Sequence, residues 1–448
     1  MAEPQAIHLT PEFAARDLTS RLSRASGGFW LAVLVLALLG IVGLLAVIAL
    51  VSSGPEPRAR WGYATAVFAF LFSTFQAAPT LAFLTRLAKG FWGIGLRRAA
   101  ELGTVAGLVT TPLFLVIVNQ LPDWHGRTSI WFGWPGAPQL WDSIAVIMLA
   151  LLGLAMLYLA SIPDFAASAH LGGSRFARSL SLGWSGTQRQ WQVLSGGIVV
   201  LGAFYLMLYT MVTVFIVGDL ALSLVPGWSS SVFAPYHGVS ALQAGLATTL
   251  LIAGALRRFG GMRPYIRMDA FWGASKPMLA TSLLFFYFTW SEIIIPWYGR
   301  TPREQAILEL LMFGPYLPLF ILSFACNFIL PFFLLIWNPI RVSVNGPIFV
   351  AAIIVFGNFI DRIRIYVASW SVAGPPGVHT IEHVPPPYFP GLPEVLVVIG
   401  AVAAVGALYL LALRVIPGVS VWETQYGLLF KVEQPYMRTQ VAVVAKPR

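Results

Sequence analysis

Charge is what this sequence has least of. Asp, Glu, Lys and Arg together make up 10% of the 448 residues, against 58% apolar, and mean hydropathy is +0.77. A soluble fold of this length needs a far more charged surface, so a polytopic membrane protein is expected. Cysteine is nearly absent. The single Cys326, inside an apolar run, allows no internal disulfide and no iron–sulfur cluster, which takes about four thiolates. It reads as a small buried hydrophobe. The six histidines, His8, His125, His170, His237, His379 and His383, all fall in tails, loops or span ends. Axial haem ligation across a bundle requires His or Met facing inward at mid-span. That excludes a bis-His haem, and Met148, Met156, Met207 and Met211 read as packing. No P-loop, zinc-type His-Glu spacing or Ser–His–Asp order is present. The expectation is a chain with no haem, metal or iron–sulfur cluster of its own. Nor does the net charge of +10 point to nucleic acid, because the basic residues flank apolar runs and set topology instead.

Long apolar runs are what the chain has in excess. Windows of roughly twenty apolar residues fall at 29–51, 61–85, 99–121, 143–162, 193–217, 238–256, 277–298, 315–336, 347–367 and 392–413. Alternating the intervening loops puts 21 of the 28 Lys and Arg on one side and 7 on the other. Under the positive-inside rule this predicts ten transmembrane helices with both termini in the cytoplasm. Residues 1–28 read as a cytoplasmic N-terminal segment, 29–413 as an all-α membrane domain and 414–448 as a short cytoplasmic tail. The leader carries acids as well as Arg and lacks a small-residue cleavage site, so the first run is expected to be retained. Prolines inside the runs (Pro79, Pro112, Pro277, Pro296 and Pro331) free backbone groups that neighbours or water must satisfy.

Chemistry in such a chain falls to its few acids. Asp361 lies beside Arg362 and Arg364, which suggests a local ion pair; Glu101 follows Arg97-Arg98; Asp164 follows Ile162-Pro163 and suits a cap. Asp142, Asp219 and Glu292 each border an apolar span with no basic residue within four positions. An ionisable group at such a place is a functional-site candidate by default. In a low dielectric a carboxyl titrates nearer neutrality, so it can accept the proton leaving a hydroquinone or gate an ion. A secondary transporter would show inverted repeats and acids at the midplane, whereas these acids gather at span ends. Around them lie Trp141, Trp228, Tyr236 and His237. The loops on that side, 122–142 and 368–393, are rich in Trp or Pro and poor in charge. They suit either the interfacial aromatic belt or a docking surface for a partner.

Several spaced motifs then fall in order: Ile162-Pro163-Asp164-Phe165-Ala166, Gly183-Trp184-Ser185-Gly186-Thr187 with Arg189-Gln190-Trp191, and Asp219 followed by Pro226-Gly227-Trp228 and Phe233-Ala234-Pro235-Tyr236. Met278-Leu279-Ala280-Thr281, Glu292 with Trp297-Tyr298, and Cys326-Asn327 with Pro331 follow. Over roughly residues 30–420 the sequence resembles the polysulfide-reductase membrane subunit (NrfD-like) family, most of all the quinol-oxidising ten-span subunit of alternative complex III. The resemblance implies two four-helix bundles plus two further helices in a bacterial cytoplasmic membrane. It also implies a quinol or menaquinol substrate near the outer face and electron transfer to an extracytoplasmic iron–sulfur or molybdopterin-type subunit. Other membrane subunits, a paralogue among them, would complete the complex.

On this resemblance Asp142 and Asp219 are the expected proton acceptors, with Asn119 and His237 orienting the ring. Tyr236, Trp141 and Trp228 would wall the pocket, and Glu292 and Asp164 would serve a proton path. The family's histidines in the second, third and fifth spans are missing. Gln76, Asn119 and Tyr209-Thr210-Met211-Val212-Thr213 stand there instead, and an amide can hydrogen-bond a quinone oxygen but cannot take its proton. His125 or His237 would have to substitute; otherwise the subunit is a scaffold or proton path.

Overall fold

The computed structural model describes residues 9–122, 131, 133–172, 175–372, 380–429, 431–436 and 439–444. Every apolar window forms a helix. A short surface helix, α1 (Pro11–Ser23), is opened by the Thr10 side chain, which accepts the Phe13 N–H. Ser26 does the same for α2 (Gly27–Ser52) through the Phe29 N–H, satisfying a donor that would otherwise lack a partner. Then come α3 (Ala59–Leu87), α4 (Phe91–Val118) and α5 (Gln139–His170), the short α6 (Arg175–Leu180) and α7 (Gln188–Leu220). After them run α8 (Phe233–Phe259), α9 (Met268–Gly299), the short α10 (Pro302–Leu308) and α11 (Leu317–Ile336). The series closes with α12 (Asn338–Arg341), α13 (Asn345–Ser371), α14 (Leu392–Ala412) and α15 (Val421–Leu429).

Among the described residues nine helices are long and apolar enough to cross a membrane, and the chain is a helical, multi-pass membrane protein. The remaining window, 347–367, forms α13, which has the length, 27 residues, but carries Asp361, Arg362 and Arg364. The tail also holds more than expected: besides α15 it forms an antiparallel hairpin of β1 (Lys431–Tyr436) and β2 (Thr439–Val444), Lys431 opposite Val444. Apart from that hairpin the described fold is all-α.

The charged helix lies at the centre. α13 packs against α3 and α8, α8 against α9, and α5 against α7. Trp61, Phe68, Phe72, Phe114 and Trp370 are buried in the shared core. α2 keeps to the outside and pairs with α14 at a close crossing of Gly43 and Gly400, where a Cβ on Gly43 would sit 2.5 Å from the Gly400 Cα.

The prolines show how a broken helix is repaired in an apolar medium. Pro79 leaves the Phe75 carbonyl without its helical donor, and α3 widens into a π-turn at Phe72–Gln76. The Tyr205 hydroxyl donates to the Gln76 carbonyl at 2.6 Å and Tyr209 to the Phe72 carbonyl at 3.4 Å. Gly103 leaves room for the freed Phe75 oxygen, which would lie 2.3 Å from any Cβ there. In α11 the carbonyl freed by Pro331 is that of Asn327, within the π-turn Ala325–Ile329, and it accepts the Gln243 Nε2 at 2.8 Å.

At the end of the bundle remote from the 218–237 loop, helix-borne charges gather under α15. Arg86 pairs with Glu101 and, at 2.9 Å, with Glu423. Arg97 also reaches Glu423 at 2.9 Å, and Arg98 reaches Glu101 at 3.1 Å and Asp164 at 2.6 Å. Asp164 is a cap, though of a distant helix: its Oδ1 accepts the Val421 and Trp422 N–H groups at the head of α15. Burial alone would push the Glu423 carboxyl up, but Arg86 and Arg97 outweigh it and hold it at about 2, below its ordinary 4.5.

Two outcomes follow. A depressed carboxyl stabilises the fold above its unfolded pKa and stops doing so as pH falls through the folded one. The Glu423 contribution is therefore lost as pH falls from about 4.5 toward about 2. Glu423→Gln should lower the thermal midpoint in detergent at pH 7 and flatten its fall over that acid range. Gly43→Val should cost about 1–3 kcal/mol by overpacking, while Gly28→Ala, with only the Ser26 hydroxyl at 3.9 Å, should leave the midpoint unchanged.

Candidate functional site

The site is set by where α8 begins. Ser230, in the loop after α7, accepts the N–H groups of Val232 and Phe233 with its hydroxyl oxygen, at 3.2 and 3.1 Å. The same hydroxyl donates to Glu292 Oε2 at 2.6 Å, and the Trp228 Nε1 approaches Glu292 Oε1 at 3.5 Å. One serine thus ties the first turn of α8 to an acid on the last turns of α9. Beside them is a cavity of about 160 Å³, lined by Trp228, Ser230, Phe233, Tyr236, Thr289, Glu292 and Arg364. Its far wall is α10 and the π-turn Glu309–Phe313 that follows, contributing Arg303, Ile307, Leu308, Leu311 and Met312.

Behind the cavity the charges of α13 pair with one another and with their neighbours. Asp361 is buried and accepts Arg364 at 2.8 Å, Arg362 at 3.1 Å and the Tyr236 hydroxyl at 2.8 Å. This is the local ion pair its spacing suggests, with a tyrosine added. Arg364 also donates to the Leu311 carbonyl at 3.0 Å, fixing the π-turn, and lies over the Phe320 ring. Arg362 reaches Ser73 of α3 at 3.1 Å and Ser240 of α8 at 2.6 Å. Two guanidiniums to one carboxylate leave a surplus positive charge here, and Glu292, with Glu304, lines the same cavity as Arg364.

Of the residues singled out from sequence, Trp228, Tyr236 and Glu292 come together at this cavity. The others do not join them. His237 is buried one residue along α8, its Nε2 2.9 Å from the Tyr366 hydroxyl. Asp142 lies under a cluster of Trp131, Trp134 and Trp141, whose rings are 5.6–5.9 Å apart. The Trp131 Nε1 donates to its Oδ1 at 2.7 Å, and Trp141 donates to the Pro135 carbonyl. Asp219 is buried at the end of α7, outside the cavity lining. Asn119 is exposed and turns back to its own helix, its amide donating to the Leu115 carbonyl at 2.6 Å. Asp164, paired with Arg98, is at the other end of the bundle. His125 and the Gly374–Gly377 stretch lie outside the described residues.

Arg364, Arg303 and Ser230 were missed. A basic residue inside a membrane span was the available signal for Arg364; nothing in the local sequence marks the other two. The described residues hold no group of three or more His, Cys, Asp or Glu arranged to take a metal ion. What the cavity offers is a largely apolar, aromatic-walled space whose lining also carries two carboxyls, Glu292 and Glu304, and two guanidiniums, Arg303 and Arg364. Neither a family profile nor a curated protein sequence matches the chain.

Removing one partner of a buried ion pair leaves the other uncompensated, at a cost of about 3–5 kcal/mol. Asp361→Asn should therefore depress the thermal midpoint more than Tyr236→Phe, which forfeits the hydroxyl's bond to Asp361 and the longer one it accepts from Arg364, each worth about 1 kcal/mol or less.

Proposed function

We propose that the chain is the quinol-binding membrane subunit of a bacterial electron-transfer complex, and that the Glu292 cavity takes the ring. The observation that carries this reading is a carboxyl positioned by Ser230 and Trp228 on an aromatic-lined space of about 160 Å³. An apolar cavity of roughly 150 Å³ accommodates a single six-membered ring. In this reading the Glu292 carboxylate accepts the proton of a quinol hydroxyl. Arg364 offers a donor to the ring oxygen and offsets the charge that develops there. Oxidation of the quinol releases two electrons and two protons; Glu292 takes the first proton, passes it to the outer aqueous phase and then takes the second. The electrons leave to an extracytoplasmic iron–sulfur or molybdopterin-type subunit seated over the Trp- and Pro-rich loops.

The reading keeps ten spans with α13 among them, both termini cytoplasmic, and two four-helix bundles, α3 to α7 and α8 to α13, with α2 and α14 outside. The 21-to-7 partition of Lys and Arg and the resemblance to the polysulfide-reductase membrane subunits support it. It moves the first proton acceptor from Asp142 and Asp219 to Glu292.

A second reading, a scaffold or proton-path subunit beside a quinol-oxidising paralogue, has its own support. Asn119, Asp142 and Asp219 lie outside the cavity. A buried polar file also runs inward from Asp361: Arg362 to Ser240, Asn358 to the Ser240 carbonyl, and Gln243 to Ser282.

Quinol oxidation by the purified complex distinguishes the two. Glu292→Gln should slow turnover by about 10²-fold or more, the usual worth of a positioned general base, with a much smaller effect on binding of a quinone analogue. Asp219→Asn should leave both within a few-fold of wild type. Full turnover in Glu292→Gln, or analogue binding that persists when this subunit is stripped away, would sink the first reading and leave the second.

A further inference from the structure

One surface of the protein has a chemistry independent of the cavity. From Phe165 to Gly218 the sequence contains no Asp or Glu, yet it carries Arg175, Arg178 and Arg189. All three are exposed, and none of their guanidiniums has a hydrogen bond or ion pair to another described residue. The buried arginines behave otherwise: Arg86, Arg97, Arg98, Arg362 and Arg364 each meet a carboxylate. The segment joins two membrane-length helices, α5 and α7, so it lies at a membrane boundary. It is also firmly held. The Tyr158 hydroxyl donates to the Leu180 carbonyl at 2.9 Å, Thr187 and Gln190 form a capping box on α7, and Trp184 and Trp191 meet edge-on at 5.0 Å.

Between the arginines the chain holds apolar side chains out. Phe176 is 58% exposed and Leu182 is 71% exposed. Leu182 has a φ of +46°, a left-handed conformation that a leucine adopts only at a cost. Interfacial segments bind lipid through this combination: arginine heads at the phosphate level and apolar side chains among the acyl chains.

We propose that the Arg175–Trp191 segment binds anionic phospholipid headgroups of the adjoining leaflet. Arg175, Arg178 and Arg189 contact the phosphates, and Phe176 and Leu182 enter the hydrocarbon edge. Charge complementarity commits the site to anionic lipid, because three guanidiniums with no partner among the described residues, in a stretch of sequence free of acids, select a phosphate-bearing partner of net negative charge.

The test titrates full-length protein in neutral detergent with short-chain phosphatidylglycerol and reads the thermal midpoint. Phosphatidylglycerol should raise the midpoint of the wild type, and short-chain phosphatidylcholine should not. At about fivefold in affinity per basic residue, the triple variant Arg175→Gln/Arg178→Gln/Arg189→Gln should lose about 10²-fold in apparent affinity while keeping the wild-type midpoint without lipid. Leu182→Ser should weaken binding with the three arginines intact. Arg258→Gln/Arg263→Gln, one arginine in the last turn of α8 and one in the loop after it, should leave it unchanged. An unchanged titration in the triple variant would overturn the proposal. So would an equal loss in the Arg258/Arg263 variant, or equal protection by phosphatidylcholine. Protection by soluble glycerol phosphate at the same affinity would overturn it in favour of a free-phosphate site.

Discussion

The Asp361 carboxylate, shared between Arg362 and Arg364, is what lets a charged helix occupy the centre of an apolar bundle. Each of the three charges alone would be prohibitive at that depth, and together they satisfy most of one another's hydrogen-bonding needs. The arginines then do a second task. Arg362 carries the network to Ser73 and Ser240 on two neighbouring helices, and Arg364 carries it to the π-turn carbonyl of Leu311. α3, α8, α13 and the wall of the cavity are thus registered against one carboxylate. The cavity keeps its shape because the side chain behind it is pinned from three directions.

The same rule explains where the polar residues of the interior sit. Breaks in α3 and α11 free carbonyls that lipid cannot satisfy. Tyr205, Tyr209 and Gln243 are placed to meet them. Polarity in this interior is therefore not a sign of function by itself. Much of it repairs backbone, and Glu292 stands apart because its partners, Ser230 and Trp228, orient it toward a space and do not neutralise it.

Local patterns in the sequence carried a good deal of this. The apolar windows fall within the helices, and the spacing of Asp361, Arg362 and Arg364 foretold their pairing. The prolines foretold that freed carbonyls would need donors. What a single sequence could not carry is which helices are neighbours. Asp142, Asp219 and Glu292 look alike along the chain, each an acid at the edge of an apolar run. Only the packing of α8, α9 and α10 puts one of them on the cavity. Glu423 shows the same limit: its partners Arg86 and Arg97 are more than three hundred residues away. Asp164 looked like a cap for the chain just after it and caps α15 instead. The 21-to-7 split of basic residues also mixes two populations, arginines locked in buried pairs and arginines left outside, which counting cannot separate.

The clamp on α15 bears on how the chain is made. Arg86, Arg97 and Arg98 leave the ribosome early, and Glu423, the acid that two of them share, is among the later residues to be translated. Until it emerges, the lower mouth of the bundle holds guanidiniums with only Glu101 and Asp164 to answer them. A nascent or prematurely terminated chain therefore displays a solvated, positively charged opening that the finished protein seals.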